Sequence, residues 1–179
     1  MQKREAGPSR DVIKNVVNLN LALDLLRKMK IVTQRIDNMY NWNDPEQHKF
    51  LSAACEEFRK KYALYQCLAA IDPSFFHGRS IIYNRATPLH ADRQDPKQNL
   101  TPVLTLGKYT SGTLYVPELG LQVDYAPGTL VMLRGGLLKH SVSYEGGQRI
   151  SIAHFLHQYM LNELDECIPP LSAVTAPTD

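Results

Sequence analysis

From about residue 75 onward the sequence breaks into short runs rich in β-branched and aromatic residues, divided by glycine and proline. The runs are RSIIYNRAT, LTPVLTLGKY, GTLYVPELG, LQVDYAPG, GTLVMLRGG, HSVSYEGG and QRISIAHFLHQYM. Each is long enough for a strand, and turn signals recur between them at the spacing of an all-β sandwich or barrel. This constrains the fold more than anything else in the chain. It predicts a β-domain over residues 75–165, with Gly135-Gly136 as a turn.

The segment before it reads differently. Ser9 or Asp11 is positioned to cap a helix carrying Val12, Val16, Val17, Leu19, Leu21, Leu23, Leu25 and Leu26, expected to run to about Gln34. Residues 35–44, RIDNMYNWND, read as a polar linker, with Trp42 expected as a hydrophobic plug between the helices and the β-domain. Asp44-Pro45 then starts a second helix, the aspartate as N-cap and the proline in the first turn. Its stripe is Phe50, Ala54, Phe58, Tyr62, Tyr65 and Leu68, and Pro73 forbids continuation beyond about Ala70. Arg59, Lys60 and Lys61 read as its solvated face.

The expected layout is a disordered stretch over 1–9, helical support over 10–74, the β-core, and an extended tail over 166–179. Helices followed by strands make an α+β class, taken as one domain overall. A chain of 179 residues at 44% hydrophobic and 21% charged can bury a core, which excludes wholesale disorder. A net charge of +2 sets up no large field, so nucleic acid is neither demanded nor excluded as a partner. Cys55, Cys67 and Cys167 lack metal-ligand spacing and fit a reducing compartment. With no apolar leader and no membrane-length run, the expectation is a soluble intracellular protein without a membrane partner, its nuclear or cytosolic location and oligomeric state open.

The stretch TPLHADRQDP holds His90 and Asp92 two positions apart. On a strand such residues share a face, where an imidazole and a carboxylate would meet. A solvated hydrogen-bonded pair and a metal site both fit that dipeptide. His140, fifty positions downstream, adds a second imidazole. Two histidines and one carboxylate make the facial triad of non-heme Fe(II) sites, with coordination positions left for other ligands. Arg149 and Ser151 follow on one predicted strand face. An inward arginine there needs a buried anion, and its planar fork suits a carboxylate such as the far end of 2-oxoglutarate. A surface ion pair with Glu145 is the plain alternative. His154 and His157, on the predicted last strand, read as structural or substrate-lining. Arg85 and Arg93 are placed to meet a phosphate or solvent.

The set His90-x-Asp92, His140 and Arg149-x-Ser151 resembles the Fe(II)/2-oxoglutarate-dependent dioxygenases. The segment YTSGTLYVPELGLQVDYAPGTLVMLRGGLLKHSV resembles the superfamily's course between the metal ligands, with Ser111-Gly112 where paired glycines are usual. Within the superfamily the chain looks most like the fungal TET/JBP-like group. That resemblance covers residues 80–157 and implies a double-stranded β-helix, or jelly roll, with Fe(II) and 2-oxoglutarate as cofactors. It implies His90, Asp92 and His140 as metal-binding and catalytic residues, and Arg149 with Ser151 as the clamp on the C5 carboxylate. Tyr83 or Asn84 would meet the oxo-acid end. The implied reaction uses dioxygen to hydroxylate a C–H bond, on a methylated base in DNA if the TET likeness extends to substrate. A hydroxylase of a protein side chain or small molecule, a cosubstrate-free cupin enzyme and a silent jelly-roll binding module are the alternatives.

Overall fold

The structure is a computed structural model and describes residues 9–164. The stretch expected to be disordered falls outside these residues except for Ser9, and so does the expected tail over 166–179. The chain divides into two compact units, one running from Phe76 to Tyr159 and the other formed by the residues on either side.

In the helical unit, α1 (Arg10–Ile13) is a single turn, and Asn15 caps the long helix α2 (Val16–Asn43) by accepting from the Asn18 N–H at 2.8 Å. The single helix expected from Ser9 or Asp11 is therefore split. The linker expected over 35–44 is also corrected, because α2 continues through it. The reason is a stripe of Met29, Thr33, Ile36 and Tyr40, all buried and spaced three or four apart. Tyr40 packs edge-on against Phe75 at 5.0 Å and bonds Gln47 through its hydroxyl. Trp42 is 86% exposed and plugs nothing, and Val16, Val17 and Leu21 are also exposed.

Asp44 caps α3 (Pro45–Lys61) by accepting from the Gln47 N–H at 3.0 Å, as Asp44-Pro45 foretells. Leu51, Ala54 and Phe58 are its buried face. The helix expected to reach Ala70 breaks at Tyr62, whose backbone is extended, and α4 (Ala63–Ala69) follows. Arg59 is not part of a wet face: it donates to the carbonyls of Pro73 and Ser74 at 3.0 and 2.9 Å. Lys60 and Lys61 do face solvent. Cys55 and Cys67 are free thiols, and burial pushes Cys55 up to about 11. Among the described residues no helix is long and apolar enough to cross a membrane.

The second unit contains eight strands: β1 (Gly78–Tyr83), β2 (Thr87–His90), β3 (Thr101–Lys108), β4 (Ser111–Val116), β5 (Leu121–Asp124), β6 (Leu130–Leu133), β7 (His140–Glu145) and β8 (Gln148–Phe155). Two four-stranded antiparallel sheets have the orders β1-β8-β3-β6 and β2-β7-β4-β5. The pairs β4–β5, β3–β6, β2–β7 and β1–β8 form one long hairpin ribbon with its tip between β4 and β5. Rolling that ribbon brings β8 against β3 and β7 against β4. This is the jelly roll, or double-stranded β-helix.

The run RSIIYNRAT makes two strands rather than one, divided at Asn84, which adopts a left-handed backbone with φ 48°. Between the sheets lie Leu114, Val116, Tyr125 and Val142, with Val131 and Leu133 packed beside them. Gly112, the one glycine kept where two are usual, is required by close approach: a Cβ there would sit 2.5 Å from the Tyr125 carbonyl oxygen. Ser111 is exposed, so its side chain is accommodated. After β8 the chain enters a short helix, α5 (Gln158–Asn162).

Candidate metal centre

β2 ends at His90 and β7 begins at His140, and the two residues are direct cross-strand partners. Their rings lie 4.4 Å apart, centroid to centroid. Asp92 lies beyond the end of β2, so strand alternation is not what brings it to His90. Its backbone N–H instead donates to the Gly135 carbonyl at 2.8 Å, which turns its carboxylate back between the histidines. His90 Nε2 is 3.3 Å from Asp92 Oδ1 and His140 Nε2 is 3.8 Å from Asp92 Oδ2. One ligand atom from each residue falls within 4.8 Å of the others.

Each ring is also oriented from behind. His90 Nδ1 lies 2.9 Å from the Pro88 carbonyl and His140 Nδ1 lies 3.2 Å from the Leu138 carbonyl. A carbonyl oxygen only accepts, so both Nδ1 atoms carry the proton and both Nε2 lone pairs face the aspartate. Two neutral imidazoles and one carboxylate converging in this way fit Fe(II), which they would bind with coordination positions left for other ligands.

Gly135 is more than a turn residue. A Cβ there would lie 2.3 Å from Asp92 Oδ2 and 3.4 Å from His140 Cε1. Gly135→Ala should therefore push the carboxylate off the metal position without disturbing the sheets. The expected loss of Fe(II) affinity is roughly 10–100-fold, the range for changes behind a metal ligand. Anaerobic Fe(II) titration with a parallel melting curve checks this, and an unchanged affinity would refute the role given to the glycine.

Arg149 lies on β8, where alternation turns Arg149, Ser151, Ala153 and Phe155 toward a cavity of about 560 Å³ shared with His90, Asp92 and His140. The guanidinium is 2% exposed, so the surface pairing with Glu145 is ruled out. Among the described residues no acidic side chain pairs with it. Its Nε donates to Thr105 Oγ1 at 3.2 Å and its Nη1 to the Arg85 carbonyl at 3.2 Å. Tyr125 and Tyr144 present their rings to it at 5.4 and 5.8 Å. Burial pushes the Tyr125 phenol up to about 12 against the pull of the arginine, so the ring stays neutral and donates to the Val103 carbonyl. A buried cation beside an apolar cavity calls for an anion to enter it. Ser151 lines the same wall and is buried.

Tyr83 is 64% exposed and outside the cavity lining, where Ser80 and Ile82 stand instead. Asn84 is committed elsewhere: its Oδ1 accepts from the Arg149 backbone N–H at 2.9 Å. Arg93 is at the exposed rim, and Arg85 contributes its carbonyl rather than its charge.

His154 and His157 do not share a strand, since β8 ends at Phe155. His154 is fully buried on the face of β8 away from the cavity, 5.4 Å from the Phe76 ring, and burial drives it down to about 3. It is a neutral core histidine. His157 lines the cavity, stacked on Phe155 at 4.5 Å, with Nδ1 2.9 Å from Asp95 Oδ1. Asp95 is buried and accepts from the Thr101 hydroxyl at 3.1 Å. In the sequence Asp95 falls within DRQDPKQN, which has the look of a solvated turn.

A family model named Tet_JBP and described as the oxygenase domain of the 2OGFeDO superfamily matches residues 13–158. Among solved structures, NgTET1 in complex with 5mC DNA is similar at a TM-score of 0.44 and 19% identity, covering 50% of this chain and 37% of that one. The likeness thus spans little more than a third of that chain. Comparison with curated proteins gives no match. The family match runs across His90, Asp92, His140 and the buried Arg149, and the chain belongs to the Tet/JBP family of 2-oxoglutarate- and Fe(II)-dependent oxygenases.

Proposed function

We propose that this chain is an Fe(II)- and 2-oxoglutarate-dependent dioxygenase that hydroxylates a C–H bond on a methylated nucleic-acid base. The observation that carries this reading is one cavity holding both the His90–Asp92–His140 cluster and the buried, anion-demanding Arg149. Iron bound there supplies the activation of dioxygen, coupling oxidation of 2-oxoglutarate to succinate and carbon dioxide with insertion of one oxygen atom into the substrate C–H bond.

The chain's own residues bind and orient. His90, Asp92 and His140 would hold the iron and leave coordination positions for other ligands. Arg149, with Ser151 beside it, takes the far carboxylate of the cosubstrate. Val131, Leu133 and Val142 give the cavity an apolar wall.

The base reading draws on the His157 side of the cavity. Asp95 accepts the Nδ1 proton of His157, which leaves Nε2 as an acceptor for an exocyclic amine or ring N–H. The Phe155–His157 stack adds a flat face. An extruded base is held by this combination of stacking and edge hydrogen bonds. The Tet_JBP family match is compatible with that substrate class.

The test is succinate release from anaerobically prepared, Fe(II)-loaded protein after admitting air, with and without a duplex containing 5-methylcytosine. Succinate that rises with the duplex, together with oxidised base, is expected, and His157→Ala should remove most of the duplex-dependent part. Succinate indifferent to the duplex would keep the oxygenase and replace the base by a protein side chain or small molecule. Neither bound iron nor succinate would leave a silent binding module.

A further inference from the structure

We infer that Thr105 and the Asn84–Arg85 turn are positioning residues that fix the Arg149 guanidinium, closing its Nε flank and leaving its Nη end to select a dicarboxylate. This rests on the reading that Arg149 holds the distal carboxylate of 2-oxoglutarate.

The donors present fix the direction of each hydrogen bond around the guanidinium. Tyr109 Oη donates its only proton to the Tyr125 carbonyl at 2.6 Å. In its 3.0 Å contact with Thr105 Oγ1 the tyrosine oxygen must therefore accept, so the threonine proton points toward Tyr109. Thr105 Oγ1 is left with lone pairs only, and Arg149 Nε donates into one of them at 3.2 Å. The result is a directed chain from Arg149 Nε–H through the Thr105 and Tyr109 hydroxyls to the Tyr125 carbonyl. Thr105 is 0% exposed, and polar chains of this kind strengthen one another in a low-dielectric setting.

The other anchor comes from the β1–β2 turn. Asn84 adopts φ 48°, a conformation asparagine tolerates better than most residues. Its N–H donates to the Arg149 carbonyl at 2.8 Å and its Oδ1 accepts from the Arg149 N–H at 2.9 Å. That reciprocal pair locks the turn to β8 and sets the next carbonyl, that of Arg85, 3.2 Å from Arg149 Nη1. The guanidinium is then held by protein at Nε and Nη1, and it also hydrogen-bonds the Tyr125 hydroxyl. The N–H groups left over are on Nη1 and Nη2, so a carboxylate meets the fork end-on, beside the Tyr125 and Tyr144 rings.

The experiment is anaerobic equilibrium dialysis on the Fe(II)-loaded chain, comparing 2-oxoglutarate with pyruvate, which has the oxo-acid end but no distal carboxylate. Thr105→Val keeps the shape and removes the acceptor, and should weaken 2-oxoglutarate about 10-fold while leaving pyruvate unchanged. Thr105→Ser restores the acceptor and should bind 2-oxoglutarate as the wild type does. Equal weakening of both ligands, or no weakening of either, would overturn the positioning role. Should the valine variant not fold, Asn84→Gly tolerates the left-handed backbone and lacks Oδ1; weakened 2-oxoglutarate with unchanged pyruvate supports the inference, and unchanged 2-oxoglutarate overturns it. A wild-type protein that fails to prefer 2-oxoglutarate over pyruvate would instead sink the reading of Arg149 itself.

Discussion

Asp92→Ala is expected to abolish turnover and to reduce Fe(II) affinity by more than the roughly 10–100-fold typical of losing a group behind a metal ligand. Asp92 is the only carboxylate of the cluster, and both histidine Nε2 atoms face it, at 3.3 and 3.8 Å. Without it, two neutral imidazoles remain, with nothing to balance the charge of a divalent ion. The fold should persist, because Asp92 lies outside the strands and its anchoring bond to Gly135 comes from the backbone. Anaerobic Fe(II) titration and succinate release measure the loss, and circular dichroism reads the fold. A variant that still binds one iron per chain with wild-type affinity would remove the triad assignment.

Arg149→Met should nearly abolish 2-oxoglutarate binding while leaving the free protein as stable as before or more so. The guanidinium is 2% exposed and finds no acidic side chain among the described residues, so the empty protein bears an uncompensated buried charge. Replacing such a charge with an apolar side chain of similar length relieves that cost. Once 2-oxoglutarate is present the balance reverses. Removing one partner of a buried charge pair costs about 2–5 kcal/mol, or roughly 30- to 5000-fold in Kd. Thermal melts with and without 2-oxoglutarate separate the two effects. The wild type should gain stability with ligand, as mass action requires, and the variant should not. Arg149→Lys keeps the charge and loses the planar fork, and should fall between them. An Arg149→Met protein that is still stabilised by 2-oxoglutarate to the wild-type extent would exclude this arginine as the clamp.

The jelly roll and the residues that meet at its cavity are legible for different reasons. Strand runs between turn signals foretold the β-unit, because a half-buried strand writes itself as a local pattern. His90, Asp92, His140, Arg149 and Ser151 stood out because their chemistry is rare in that company. What escaped the reading depends on through-space contact. Gly135 looks like any turn glycine until a carboxylate is seen against it. Asp95 sits in a polar stretch and declares itself only through His157, far along the chain. Thr105 is an ordinary strand threonine until Arg149 is seen to donate to it. The helical errors have a similar cause. The apolar residues Val16, Val17 and Leu21 suggested the helix face yet are exposed, while the buried stripe includes Thr33 and Tyr40, which a hydropathy pattern undercounts.

The ribbon topology bears on when the protein becomes able to hold iron. His90 and His140 face each other across β2 and β7, with the tip of the ribbon and four strands between them in sequence. Joining them closes a long loop at an entropic cost of roughly 3–4 kcal/mol, and β1–β8, which pairs Gly78 with Phe155, closes a longer one. Folds built on such distant pairings assemble slowly, since entropy is lost before contacts compensate for it. The β4–β5 and β3–β6 pairings close shorter loops, so zipping from the tip, with the two imidazoles meeting late, is the expected order. On the proposed reading, an ion held across β2 and β7 would resist the ribbon's reopening at that point.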